Sequence, residues 1–158
     1  MADTFTVERR RTIHAPADRI YLLLYNFQQW TRWSPWEDLD PDLERAYGGP
    51  EAGLGATYAW SGNKKAGSGK MEITAVEEDR LVQIALDFVK PFKSSNTTTF
   101  ALAPVDDDTT EVVWTMVGPR PLMMKVLSFA LNPEKFAGKD MEKGLERLEE
   151  VARPKPAG

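Results

Sequence analysis

Nucleophiles, imidazoles and clustered carboxylates are the raw material of a catalytic or metal centre, and this chain is poor in them. Its 158 residues include one histidine, His14, and no cysteine. Thiolate nucleophiles, disulfides and cysteine-ligated zinc are therefore excluded. A transition-metal site would have to be built mostly from carboxylates, which suit such ions poorly, so no metal and no cofactor is expected. His14 stands where a strand pattern gives way to a helix start, a place for an exposed or capping side chain. Ser34, in Ser34-Pro35-Trp36, has no second histidine with which to build a triad. Glu72 and Asp87 fall on the wetter side of their strand patterns, and Asp106-Asp107-Asp108 reads as a solvated turn. Gly67-Ser68-Gly69-Lys70 has the look of a phosphate loop but lacks the full G-x-x-x-x-G-K-[ST] spacing, and no helix pattern follows it. No catalytic residue is assigned.

What the chain has in abundance is aromatic surface. Three of its five tryptophans, Trp30, Trp33 and Trp36, lie within seven residues. An indole is large and apolar, yet its N–H needs an acceptor when buried, so three in a row must be matched by a structure that supplies both.

The elements that would hold these rings follow from periodicity. Phe5 to Ile13 alternates as a strand. Pro16 and Asp18 suit the first turn of a helix, and Ile20, Leu23, Leu24 and Phe27 continue at helical spacing. Segments rich in β-branched and aromatic residues then recur between turn signals: Leu43 to Tyr47, Ala56 to Ser61, Lys70 to Val76, Leu81 to Val89, Ser94 to Ala103 and Thr110 to Val117. That spacing predicts an antiparallel meander. Alternation puts Tyr58 and Trp60 on one side, as it does Val82, Ile84, Leu86 and Phe88, then Phe100 and Leu102, then Val112, Trp114 and Met116. One apolar and one wetter face result. Leu122 to Leu131 reads as an apolar helix that Asn132-Pro133 breaks and restarts. Beyond it Ala137, Met141, Leu145, Leu148 and Ala152 form an apolar stripe, with Glu142, Lys143, Glu146, Glu149 and Glu150 on the wet face. Gly144, mid-helix, implies close packing of helix backbone on the sheet.

This order resembles the START-like, helix-grip (SRPBCC) superfamily, and within it the polyketide cyclase/dehydrase-type branch of small bacterial proteins. Four stretches carry the likeness: Thr12-Ile-His-Ala-Pro-Ala-Asp-Arg-Ile20, Trp30-Thr-Arg-Trp-Ser-Pro-Trp36, Gly55-Ala-Thr-Tyr-Ala-Trp-Ser-Gly-Asn63 and Lys139-Asp-Met-Glu-Lys-Gly-Leu-Glu-Arg-Leu148. The resemblance implies an α+β fold in which a curved antiparallel sheet of about six or seven strands grips a long C-terminal helix, with two short helices after the first strand. Residues 1–152 would form one such domain and 153–158 a flexible tail.

The resemblance also implies a deep apolar cavity between helix and sheet, and it carries over no catalytic set. Trp30, nearest the first helix, is expected to clamp that helix to the sheet. Trp33, Trp36, Tyr58, Trp60, Phe88, Phe100, Trp114 and Met116 are the candidates for the cavity wall. Met123, Met124 and Leu127 of the apolar helix join them, since methionine suits adaptable apolar surfaces. The leading expectation is a protein that binds, sequesters or carries a small, mostly apolar molecule, such as a lipid, a polyketide-like aromatic or an isoprenoid. The alternatives are a cyclase or dehydratase using the same cavity, and an interaction module of the chaperone-associated kind.

Charge and hydropathy narrow the partners. The formal net charge is −4, and basic residues are scattered apart from Arg9-Arg10-Arg11, which a strand would split between two faces. No nucleic-acid partner is expected. The longest apolar run near the start, Ile20 to Tyr25, is too short to span a bilayer, and nothing there resembles a signal peptide. Stable membrane insertion is not expected, and a cytoplasmic location is. The residues leave the oligomeric state open.

Overall fold

In a computed structural model the chain forms one seven-stranded antiparallel sheet with helices against its apolar face. Residues 4–34, 40–63, 67–90, 93–119 and 133–153 are described. The expected Leu122 to Leu131 helix, Trp36 and the proposed tail beyond Arg153 lie outside them.

The strands are β1 (Thr4–Ile13), β2 (Glu44–Gly48), β3 (Thr57–Ser61), β4 (Ser68–Glu77), β5 (Leu81–Lys90), β6 (Ser94–Asp106) and β7 (Thr109–Pro119). They lie in the order β1-β7-β6-β5-β4-β3-β2, so the first strand closes one edge beside the last, and the second forms the other edge. Between β1 and β2 come α1 (Ala17–Leu24) and a 3₁₀ helix, Phe27–Arg32. The C-terminal helix, α2, spans Pro133–Ala152. The sequence-derived α+β helix-grip arrangement is therefore what the chain adopts, with every expected strand present. Pro16 lies one position earlier than expected, at the N-cap of α1 rather than inside its first turn. The Gly67-Ser68-Gly69-Lys70 stretch leads directly into β4, not into a helix.

Register explains the two faces. Val82 pairs with Phe100 and Phe100 with Trp114, while Ile84 pairs with Thr98 and Thr98 with Met116. All point to the side that α1, the 3₁₀ helix and α2 cover, and all are buried. Irregularities in the β4–β5 ladder at Ser68/Gly69 and Ile73/Ala75 break the regular pairing, as bulges do where a sheet must bend. Glu72 and Asp87 are exposed on the opposite face, as alternation predicts.

The described part of α2 packs chiefly on β1, and also touches α1 and the 3₁₀ helix. Met141, Gly144, Leu145, Leu148 and Ala152 form its buried stripe, while Glu142 and Glu146 are exposed. Glu149 corrects the expected wet face. Only 8% of it is exposed, because it closes the gap between α2 and the end of β1. There Arg11 donates to Glu149 Oε1 through Nε at 3.0 Å and Nη2 at 2.8 Å, and the His14 backbone N–H donates to Oε2 at 3.1 Å. The His14 ring, itself exposed, sits with Nδ1 3.0 Å from the same oxygen. Arg11 shares the inward face of β1 with Val7, Arg9 and Ile13, since these pair with Val112, Met116, Trp114 and Thr110 of β7. An edge strand can point arginines inward when a helix brings carboxylates to meet them, as Glu149 and Glu142 do here.

Candidate functional site

The inward face of the sheet carries a continuous path of aromatic rings. Trp114 packs on Phe100 with centroids 4.7 Å apart, and both meet Trp33 at 5.8 Å. Trp33 meets Trp30 at 4.6 Å, Trp30 meets Phe27 at 5.6 Å, and Phe27 meets Tyr58 at 5.9 Å. Tyr58 then leads to Trp60 at 6.2 Å, and Trp60 to Phe88 at 5.8 Å with its ring nearly perpendicular.

The path is closed at one end. Trp33, Phe100 and Trp114 have no exposed surface, and Trp30 has almost none. Their N–H groups are also matched. A helix leaves its last carbonyls without intrahelical donors. The indole of Trp30 donates to Leu24 O at 2.9 Å and that of Trp33 to Leu23 O at 3.0 Å, so two tryptophans finish the C-terminus of α1. Trp114 donates to Thr98 Oγ1 at 2.9 Å, and Thr98 in turn donates to the Thr115 carbonyl. The tryptophan stretch is therefore a folding device at its start: the 3₁₀ helix turns the rings back onto the helix that precedes it. Arg147 of α2 adds a bond to the Ser34 carbonyl and ties this turn to the C-terminal helix.

At the other end the rings are only partly covered. Trp60 and Phe88 face inward, pack on the core and keep part of their surface open. Trp60 lies against Gly69, where an added Cβ would stand 2.5 Å from both the indole edge and the Asp87 carbonyl oxygen. Gly69 is thus the floor on which this ring rests. Tyr58, Met71, Leu86 and Met116 continue the apolar wall and are buried.

Of the residues expected to line a cavity, Trp33, Phe100 and Trp114 fall in the closed cluster. Tyr58, Trp60, Phe88 and Met116 fall along the rest of the same face. Trp36, Met123, Met124 and Leu127 lie outside the described residues. Two half-open surface grooves lie elsewhere. One, of about 240 Å³, is lined by residues including Phe27, Tyr47 and Pro50, and the other, of about 260 Å³, by Arg10, Arg11, Glu142, Leu145 and Glu146.

Sequence reasoning missed a polar strip on β6. Ser94, Asn96 and Thr98 share the inward parity of Phe100 and are buried. Asn96 Nδ2 donates to Ser94 Oγ at 3.1 Å and to the Leu86 carbonyl at 3.4 Å. The amide nitrogen faces the Leu86 carbonyl, and Oδ1 is left buried without a partner. Nothing in the run Ser94-Ser-Asn-Thr-Thr-Thr99 could have singled these out, since both parities are polar there.

Ionisable groups are sparse on this face. Among the described strand residues no carboxylate and no imidazole shares the inward parity of Trp114 and Phe100. Among the described residues no cluster of three or more metal-ligating side chains occurs. The Glu149 carboxyl is held below its ordinary range. Burial pushes it up, but the hydrogen bonds from the His14 ring and backbone and from Arg11, with the charge of Arg11, outweigh that.

Comparison with known proteins agrees with this architecture. A family model described as polyketide cyclase / dehydrase and lipid transport matches residues 4–153. The chain belongs to that family. No curated protein matches it by sequence. Solved structures share the family's fold at low identity. Norcoclaurine synthase from Thalictrum flavum, solved with dopamine and hydroxybenzaldehyde, is 11% identical with a TM-score of 0.68, over 98% of this chain and 90% of its own. The major latex-like protein 151 of Panax ginseng is 12% identical with a TM-score of 0.67, over 97% and 100%. A Mesorhizobium loti protein is 18% identical with a TM-score of 0.68, over 93% and 96%. The START-like resemblance read from the sequence thus holds for the family and the fold. Among the described residues no helix is long and apolar enough to cross a membrane.

Proposed function

We propose that this member of the family binds a small, mostly apolar molecule between the concave face of the sheet and the C-terminal helical region, and that binding or transport rather than catalysis is its role. Tyr58, Trp60, Phe88 and Met116 would form the contact wall, with Trp33, Phe100 and Trp114 as its closed end. Trp36, Met123, Met124 and Leu127 complete the proposed lining. The observation that carries the reading is the pair Trp60 and Phe88: two large rings on the inward face that keep open surface beside the buried Tyr58, Leu86 and Met116. Apolar surface left open in a concave face is the usual material of a ligand site. The family's description, which pairs cyclases and dehydrases with lipid transport, supports the same class of ligand. Acid–base chemistry on a bound chain would call for a titratable group beside it. The lack of inward carboxylates and imidazoles among the described strand residues favours the binding reading over the cyclase or dehydratase one.

The test is native mass spectrometry of freshly purified protein, followed by titration with an environment-sensitive apolar dye. A co-purifying small molecule or saturable dye binding is expected. Trp60→Ala should weaken dye binding at least severalfold, while Trp30→Ala should leave the affinity of the folded protein unchanged. If the wild-type protein carries nothing and binds no apolar probe, the proposal fails and an interaction module becomes the better account.

A further inference from the structure

The inward face of β6 changes character along its length. Phe100 is enclosed by rings, Thr98 spends its hydroxyl on Trp114 and Thr115, and Asn96 and Ser94 come next toward the open end. Asn96 is 95% buried by its 5% exposure, yet its Oδ1 has no donor. A buried acceptor left unmatched is destabilising, and folded chains rarely keep one without a use. Ser94 Oγ accepts from Asn96 Nδ2, and among the described residues no bond uses its own proton. One free acceptor and one free donor therefore sit two residues apart on one strand face. Ser94 lies opposite Phe88, and Asn96 opposite Leu86, which places both at the half-open rings.

We infer that Asn96 and Ser94 form the polar anchor of the proposed ligand site and select an apolar molecule bearing a hydroxyl group. A hydroxyl is both donor and acceptor: its proton would go to Asn96 Oδ1 and its oxygen would accept from Ser94. An ether offers no proton, and a plain hydrocarbon satisfies neither group. The surrounding wall can admit the ligand because Met71 and Met116 are unbranched side chains that repack readily. Gly118, following the Val117 that pairs with Thr97, is buried and presents no side chain at this end. The selection works by leaving Oδ1 unpaired in the wrong complex, which is how a buried polar group rejects a close analogue.

This inference rests on the binding reading, and two matched probes separate the two. Wild-type protein and Asn96→Leu are titrated calorimetrically with 2-naphthol and with 2-methoxynaphthalene. The wild type is expected to bind 2-naphthol about tenfold more tightly, as one buried hydrogen bond implies. Asn96→Leu should lose that preference while still binding 2-methoxynaphthalene. Asn96→Val serves if the leucine variant does not fold, and the wild-type preference is itself a reading that needs no variant. Equal wild-type affinity for the two probes, or a preference that survives in the variants, overturns the anchor and leaves the binding reading standing. Failure of the wild type to bind either probe or the apolar dye overturns both.

Discussion

The two ends of the inward face are built from the same residue types and behave differently. At the α1 end, Trp30, Trp33, Phe100 and Trp114 are sealed, and every indole N–H has an acceptor. At the β3–β5 end, Trp60 and Phe88 are open in part, and the polar strip beside them keeps an unpaired oxygen. Aromatic content alone does not mark a binding site. What distinguishes the ends is whether apolar area and hydrogen-bonding groups are already spent on the fold. The closed end is spent, and the other holds a remainder that a ligand can use.

That contrast can be broken first at its closed end. Trp33→Ala removes a fully buried ring and the donor to Leu23 O, so a loss of about 3–5 kcal/mol is expected in chemical denaturation. A variant of wild-type stability would mean that the ring cluster does not organise the fold.

Gly69→Ala probes the open end from beneath. Its new methyl would meet the Trp60 ring and the Asp87 carbonyl, which is backbone and cannot step aside cheaply. A destabilisation of about 1–3 kcal/mol is expected, together with altered dye affinity as Trp60 is displaced. Unchanged affinity after such a loss would separate Trp60 from the ligand.

Glu149→Gln lies away from both ends and calibrates them. It should cost about 1–2 kcal/mol near neutral pH, because Arg11 is partly exposed and water offsets some of the loss. The Glu149 carboxyl is held below its unfolded value of 4.5, so its contribution is present above that pH and is lost as pH falls through the folded-state value. Wild type and variant should therefore converge in stability under acid. A gap that stays constant from neutral to strongly acidic pH would refute the linkage. Ligand affinity should not change.

How far these ends could be read from sequence differs too. Periodicity located the strands and the α2 stripe because alternation of two and spacing of 3.6 are strict geometric consequences of the backbone. Trp30 as a clamp was legible from its place after an amphipathic helix. That Trp33 would cap the same helix was not, since the 3₁₀ turn that aims its indole at Leu23 leaves no compositional trace. Glu149 escaped because it sits among glutamates that do face water, and only the arrival of Arg11 and His14 from β1 separates it from Glu146. Ser94 and Asn96 were hidden by a run polar on both parities. In each case the missing information was tertiary: which neighbour comes to meet the side chain.

Where a ligand touches the tryptophans decides between the two ends. Uniform labelling with 5-fluorotryptophan gives one ¹⁹F resonance for each of the five indoles, assigned by single Trp→Phe substitutions. Titration with the apolar dye should shift the Trp60 resonance strongly and leave Trp30 in place. Shifts confined to Trp30 and Trp33, with Trp60 unmoved at saturation, would contradict a site at the β3–β5 end and locate it at the closed one.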